Sequence, residues 1–154
     1  VNKTYGATIF LVTHDTSQAY RLADTVVNLF EGCVVRPSLE NLFRGRLENI
    51  NDLSLFDTGR MKMQVVADRS DGTAYAAIDP RDIVISIDPF RSSARNSFQG
   101  TIFKIIDDGA SVLLGIKAGE EFTVKVTRDS LTEMNITVGN TVYLTFKSTA
   151  VQVF

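Results

Sequence analysis

The sequence contains one cysteine, Cys33, and one histidine, His14. A disulfide needs two thiols and a Cys/His zinc site about four ligands, so Cys33 with His14 can support neither within one chain. Cys33 therefore reads as a small buried hydrophobe in a reducing compartment. Long apolar runs are missing too. The longest, near Ala7 to Val12, is far short of the roughly 20 residues that span a bilayer, and no charged-then-apolar leader opens the chain. A cytoplasmic protein is expected. Neither sign of charge dominates: 16 Lys and Arg face 18 Asp and Glu, for a net charge of −2. Basic residues are scattered, which argues against nucleic acid as a partner. The chain opens on Val instead of Met, as an excised piece of a longer protein would.

What is present is an ordinary globular composition, 44% hydrophobic and 22% charged over 154 residues. Ala7 to Val12 is apolar and β-branched, which predicts a strand buried on both faces. Asp15 or Thr16 could cap a following helix, because Ala19, Leu22, Ala23 and Val26 recur at helical spacing. Val26 to Phe30 and Cys33 to Val35 then read as a hairpin around Glu31-Gly32. These 35 residues are α/β material and too few to enclose a core.

From Arg36-Pro37 onward the text is almost entirely β. Alternating runs occur at Met61 to Ala67, Ala74 to Ile78, Ile83 to Ile87, Gly100 to Ile106, Ser111 to Ile116, Glu121 to Val126, Thr141 to Phe146 and Ala150 to Phe154. Short strands at regular spacing predict a small closed barrel or sandwich. There is also an internal echo. Phe43-Arg44-Gly45-Arg46-Leu47 resembles Phe98-Gln99-Gly100-Thr101-Ile102, and Pro80-Arg81-Asp82 is matched with Thr127-Arg128-Asp129. Two related β modules follow from it, the first more degenerate, with the joint near Ser92-Ser93.

Thr13-His14-Asp15, Ala19, Leu22-Ala23-Asp24 and Gly32 resemble, in register, the end of the nucleotide-binding domain of ABC transporter ATPases. The resemblance implies that His14 is the switch histidine that reaches the γ-phosphate of ATP, a role suited to a lone imidazole. The plain alternative is a turn histidine in solvent. No Gly-x-x-x-x-Gly-Lys-Ser/Thr loop occurs, nor an upstream strand ending in Asp-Glu. The chain is therefore not expected to be an enzyme by itself, and ATP-Mg would belong to a parent ATPase.

Four strings in the last third, Ser93-Ala94-Arg95-Asn96 with Gly100, Val126-Thr127 with Ser130, Val138-Gly139, and Phe146-Lys147-Ser148 with Val151, resemble the oxyanion-binding Mop or TOBE domain. Ile78 to Ser86 is also similar to the Arg-Pro-Glu-Asp stretch of TOBE regions. The resemblance places oxyanion ligands on Ser93, Arg95, Thr127, Ser130, Lys147 and Ser148, and implies sites shared between modules or subunits. The residue chemistry agrees. A tetrahedral dianion stripped of water must regain several donors. Arg95 and Lys147 offer charged donors and the four hydroxyls neutral ones. Arg128 to Met134 predicts a short helix with Thr127 as its N-cap. A lysine guarding a strand edge and an arginine in solvent are the plain alternatives.

The expected fold class is mainly β, with OB-like TOBE/Mop modules preceded by a strand-helix-hairpin remnant of an α/β nucleotide-binding domain. The divisions are 1–35 for that remnant, 36–92 for a linker and degenerate first module, and 93–154 for the oxyanion-binding module. The implied function is the regulatory region of the ATP-binding subunit of an ABC importer, binding cytosolic molybdate or tungstate to restrain transport. Such a subunit would form a homodimer through its β modules and sit peripherally on the cytoplasmic face of the membrane against permease subunits. The alternative is a dimerisation domain of an importer for a sugar, polyamine, iron or sulfate, with no anion bound. Binding of nucleic acid through an OB-like barrel fares badly. Ser93 to Phe154 holds six basic and six acidic residues and offers no run of exposed aromatics.

Overall fold

The computed structural model describes residues 6, 8–14, 18, 19, 22–35, 39–51 and 53–154. Among them no helix is long and apolar enough to cross a membrane. Among the described residues, the first strand pairing is a hairpin of β1 (Asn28–Phe30) and β2 (Cys33–Val35). It turns on Glu31 and Gly32, both at positive φ (47° and 79°), as a two-residue hairpin turn requires.

Two five-stranded antiparallel sheets follow. The first contains β3 (Leu42–Ile50), β4 (Leu53–Asp57), β5 (Lys62–Val65) and β6 (Gly72–Ile78). The second contains β8 (Asn96–Asp108), β9 (Ser111–Ala118), β10 (Glu120–Thr127) and β11 (Thr141–Phe146). Each sheet is completed by a strand from the other half of the chain. β7 (Val84–Ser86) pairs with β11, and β12 (Val151–Val153) pairs with β6. The sheet orders β12-β6-β3-β4-β5 and β7-β11-β8-β9-β10 are thus the same order with the last strands exchanged.

The repeat is close. β6, a 3₁₀ turn (Pro80–Asp82) and β7 match β11, a 3₁₀ turn (Ser148–Ala150) and β12 without a gap. This register corrects one sequence alignment. Pro80-Arg81-Asp82 corresponds to Ser148-Thr149-Ala150, not to Thr127-Arg128-Asp129, because strand order and not the Arg-Asp dipeptide sets the equivalence. Two buried asparagines mark the same symmetry. Asn41 donates Nδ2 to the Thr123 carbonyl (2.8 Å) and accepts the Thr123 N–H (2.7 Å). Asn96 does the same with Gln64, at 2.8 Å for both bonds. Each asparagine opens one module and clamps the third strand of the other.

One core runs through both halves. Phe43 of the first packs at 4.9 Å on Phe122 of the second, and Phe122 lies 6.1 Å from Phe146. Leu47, Phe56, Met63, Ile78, Ile102, Leu114, Ile116 and Leu144 are fully buried beside them. The fold class is therefore mainly β, as expected.

Two expectations for the opening residues do not hold. Residues 8–13 form no strand, and Phe10 and Val12 are 91% and 96% exposed. A strand of the parallel, doubly covered kind exists only when neighbouring strands satisfy its backbone, and among the described residues nothing pairs with it. Cys33 is exposed, not buried, because it lies beside the turn of a three-residue hairpin, too small to enclose its own side chains. The expected capping residues Asp15 and Thr16 lie outside the described residues. A helical turn is present where Ala23 N–H reaches the Ala19 carbonyl at 3.0 Å.

Candidate oxyanion site

The six sequence-selected residues fall into two groups. Ser93, Arg95, Lys147 and Ser148 sit where β8 begins and β11 ends, joined by the Asn96–Phe146 register pair. Ser93 and Lys147 line one groove of about 390 Å³, together with Ser92, Ala94, Phe146 and Ala150. Arg81, Asp82 and Val84 also line it, because the strand exchange lays β7 beside β11. Among the described residues no carboxylate pairs with Lys147 or Arg95. Ser148 is 8% exposed, and its hydroxyl is buried without a hydrogen-bond partner, a state that native structures rarely tolerate without a reason.

Thr127 and Ser130 lie at the other end of the sheet. Thr127 pairs with Ser111, beside the far end of β8. That end is separated from the groove by 13 residues of strand, up to roughly 40 Å of chain path at about 3.3 Å per residue. Here the expected helix forms as α1 (Arg128–Glu133), with Thr127 as N-cap accepting the Ser130 N–H at 3.1 Å. The two hydroxyl oxygens are 2.8 Å apart. The adjoining turn is acidic but neutralised. Arg128 grips Asp107 and the Gly109 carbonyl, and Lys125 meets Asp108 at 2.6 Å. The Arg128 hydrogen bond, then the Gly109 N–H, holds the Asp107 carboxyl below its usual range, as Lys125 and then Ser111 do for Asp108. One chain does not bring the two groups together.

His14 is exposed, just after residues 8–13, which form no strand. Sequence reasoning missed Arg81, Asp82, Phe90 and Ser92 as groove residues. Only the exchange of β7 brings the first two there, and no local pattern signals it. Arg81 is held by Asp79 through Nε (2.9 Å) and Nη2 (2.8 Å). Among the described residues no cluster of three or more His, Cys, Asp or Glu could hold a metal ion.

The repeat exposes a contrast between the modules. Lys147 corresponds to Asp79, Ser148 to Pro80 and Arg95 to Glu40, while Ser93 corresponds to Ser38, which lies outside the described residues. Four residues beyond the clamped position stands Thr127 in one module and Asp68 in the other. Both candidate cationic ligands of the second module, Arg95 and Lys147, are replaced by acids in the first.

Known proteins resemble the chain at the same places. Residues 92–153 match the TOBE domain family. Molybdate/tungstate import ATP-binding proteins of Pyrococcus abyssi and Pyrococcus horikoshii are each 29% identical over 99% of this chain and 48% of their own length. The chain thus spans about half the length of these relatives. The crystal structure of the cytoplasmic molybdate-binding protein ModG, with molybdate bound, superposes with a TM-score of 0.65 at 21% identity, covering 77% of this chain and 98% of that one. The resemblance read from the sequence is borne out: residues 92–153 match the TOBE domain family, in a chain similar along its length to ATP-binding subunits of molybdate/tungstate importers.

Proposed function

We propose that this chain is the regulatory region of an ABC importer's ATP-binding subunit, and that its second β module binds a tetrahedral oxyanion of the molybdate or tungstate class. The observation that carries the reading is the groove in which Lys147 and Ser93 meet, inside the stretch that matches the TOBE domain. Lys147 and Arg95 supply charged donors uncommitted to any described carboxylate, and Ser93 and Ser148 supply hydroxyls. The Thr127–Ser130 pair of a second copy completes the shell, which makes the homodimer part of the site. Residues 1–35 are the remnant of a nucleotide-binding domain in this reading, 36–92 the linker and first module, and 93–154 the anion-binding module. His14 is a switch histidine whose ATP-Mg site is completed by sequence outside this chain. Permease subunits are the partners of the parent protein, on the cytoplasmic face of the membrane.

Regulation then follows from differential affinity. An anion that binds one arrangement of paired modules more tightly than the other shifts the population toward it, by no more than that difference in binding free energy. Thermal shifts against molybdate, tungstate, vanadate and sulfate, measured side by side, test the binding. Ligand at 100 times its Kd stabilises by about 2.7 kcal/mol. Arg95→Ala and Lys147→Ala should abolish the shift and leave the unliganded protein folded. If none of the four anions at millimolar concentration moves the transition, the anion-free dimerisation role takes its place.

A further inference from the structure

The strand that leaves the anion groove ends against the N-terminal hairpin. Lys147 and Ser148 run through the 3₁₀ turn Ser148–Ala150 directly into β12, which crosses to the first sheet and stops at Phe154. There the Phe154 and Tyr75 backbones exchange hydrogen bonds of 2.9 and 3.0 Å, and their rings stack at 6.1 Å. Phe30 of the hairpin closes the cluster, edge-on to Tyr75 at 5.0 Å and to Phe154 at 6.2 Å. Two polar contacts flank the rings: the Tyr75 hydroxyl donates to Glu31 at 3.3 Å, and Gln152 Nε2 donates to the Val34 carbonyl at 3.3 Å.

The hairpin has only three residues per strand, with Leu29 65% and Val34 56% exposed. A two-stranded hairpin of this kind is marginal at best by itself in water, so its order depends on what it docks against. Among the described residues its dock is made of Tyr75 with Gln152 and Phe154, and two of those three belong to the seven residues that follow Lys147. At the symmetry-related position Phe154 becomes Ser86 and Tyr75 becomes Tyr143, so the full aromatic seat exists on one side of the molecule.

We propose that the hairpin β1–β2 is a docking switch read out by the anion groove: an oxyanion held at Lys147-Ser148 fixes the 3₁₀ turn and β12, and so seats Phe154 and Gln152 under the hairpin. This rests on the oxyanion-binding reading above. It assigns the path by which occupancy reaches residues 28–35 and, through them, the segment that precedes them. Coupling of this kind is reciprocal, so undocking the hairpin must weaken anion binding by the same factor.

Hydrogen exchange of the full chain, followed by mass spectrometry with and without saturating sodium tungstate, tests it. Amides of residues 28–35 should exchange about fivefold or more slowly with tungstate present. Phe30→Ala should remove that response and raise the tungstate Kd by a matching factor, while the main melting transition of the two sheets stays in place. If tungstate binds but hairpin exchange is unchanged, or if Phe30→Ala frees the hairpin with no change in tungstate Kd, the hairpin is only a structural contact and the switch is refuted. If the wild-type chain binds no tungstate, the oxyanion reading itself fails and the switch falls with it.

Discussion

At the scale of single residues, Gly45 and Gly100 hold equivalent places in the first strand of each module, and each is there for space. A Cβ at Gly100 would lie 2.8 Å from Ile116 Cγ2 and 2.9 Å from the Lys117 carbonyl. At Gly45 it would meet the Asp57 carbonyl at 2.5 Å and the Phe56 ring at 2.7 Å. Backbone is in the way at both, so the neighbours cannot yield cheaply. Gly100→Ala should destabilise by about 1–3 kcal/mol, seen as a lower midpoint in urea with an unchanged slope. Asp79 offers a pH test. The Arg81 hydrogen bond, followed by the Arg81 backbone N–H, outweighs burial and holds the Asp79 carboxyl below its usual 3.8. Stability from a depressed carboxyl is complete above the unfolded value and is lost as pH falls through the folded one. Asp79→Asn, which keeps an N-cap acceptor, should therefore lower Tm at neutral pH. Melts recorded from neutral pH down through 3.8 should show that deficit shrinking on the acid side.

At the scale of elements, β11 was legible to the residue and α1 nearly so, because each carries its own local signal: period-two alternation in Thr141 to Phe146, and a capping Thr127 before a polar, helix-compatible run. Strands β3 and β4 were not recognised as strands. Arg44, Arg46 and Glu48 alternate with Phe43, Gly45 and Leu47, so the period was present, but glycine stands at the central inward place and weakens the pattern. The Ala7 to Val12 run shows the opposite failure. Its local signal is strong, and its described residues 8–12 form no strand because strand pairing is not a local property. The asparagine clamps belong at this scale too, since each ties the opening of one module to a strand of the other. Asn96→Ala would leave the Gln64 N–H and carbonyl unpaired in a part-buried site, at about 1–3 kcal/mol for each group that water cannot reach. Asn41→Ala should do the same through Thr123. Equilibrium urea unfolding of both single variants should give losses of similar size; a harmless change at either would show that its strand is held by other contacts.

At the scale of the whole molecule, the exchange of β7 and β12 makes the two modules one cooperative body with one core, while their charges make them unequal. The first module presents Glu40, Asp68 and Asp79 where the second presents Arg95, Thr127 and Lys147. Like charge repels a dianion and leaves its desolvation uncompensated, so in the proposed reading the oxyanion goes to the second module. Calorimetric titration of tungstate should accordingly saturate at one anion per chain. A ratio of two would mean that the acidic module also binds, against its charge.

The sequence by itself determined the β class, the repeat, the capped helix and the chemical types of the candidate ligands, because alternation, turn residues and motifs are properties of neighbours along the chain. Only the tertiary structure decided which of those ligands share a place. Ser93 and Lys147 meet, and Arg81 joins them, because β8, β11 and β7 hydrogen-bond side by side. Thr127 and Ser130 stand apart because a long strand carries them to the other end of the sheet. Backbone pairing between segments distant in sequence sets those positions, and no residue type written along the chain encodes it alone.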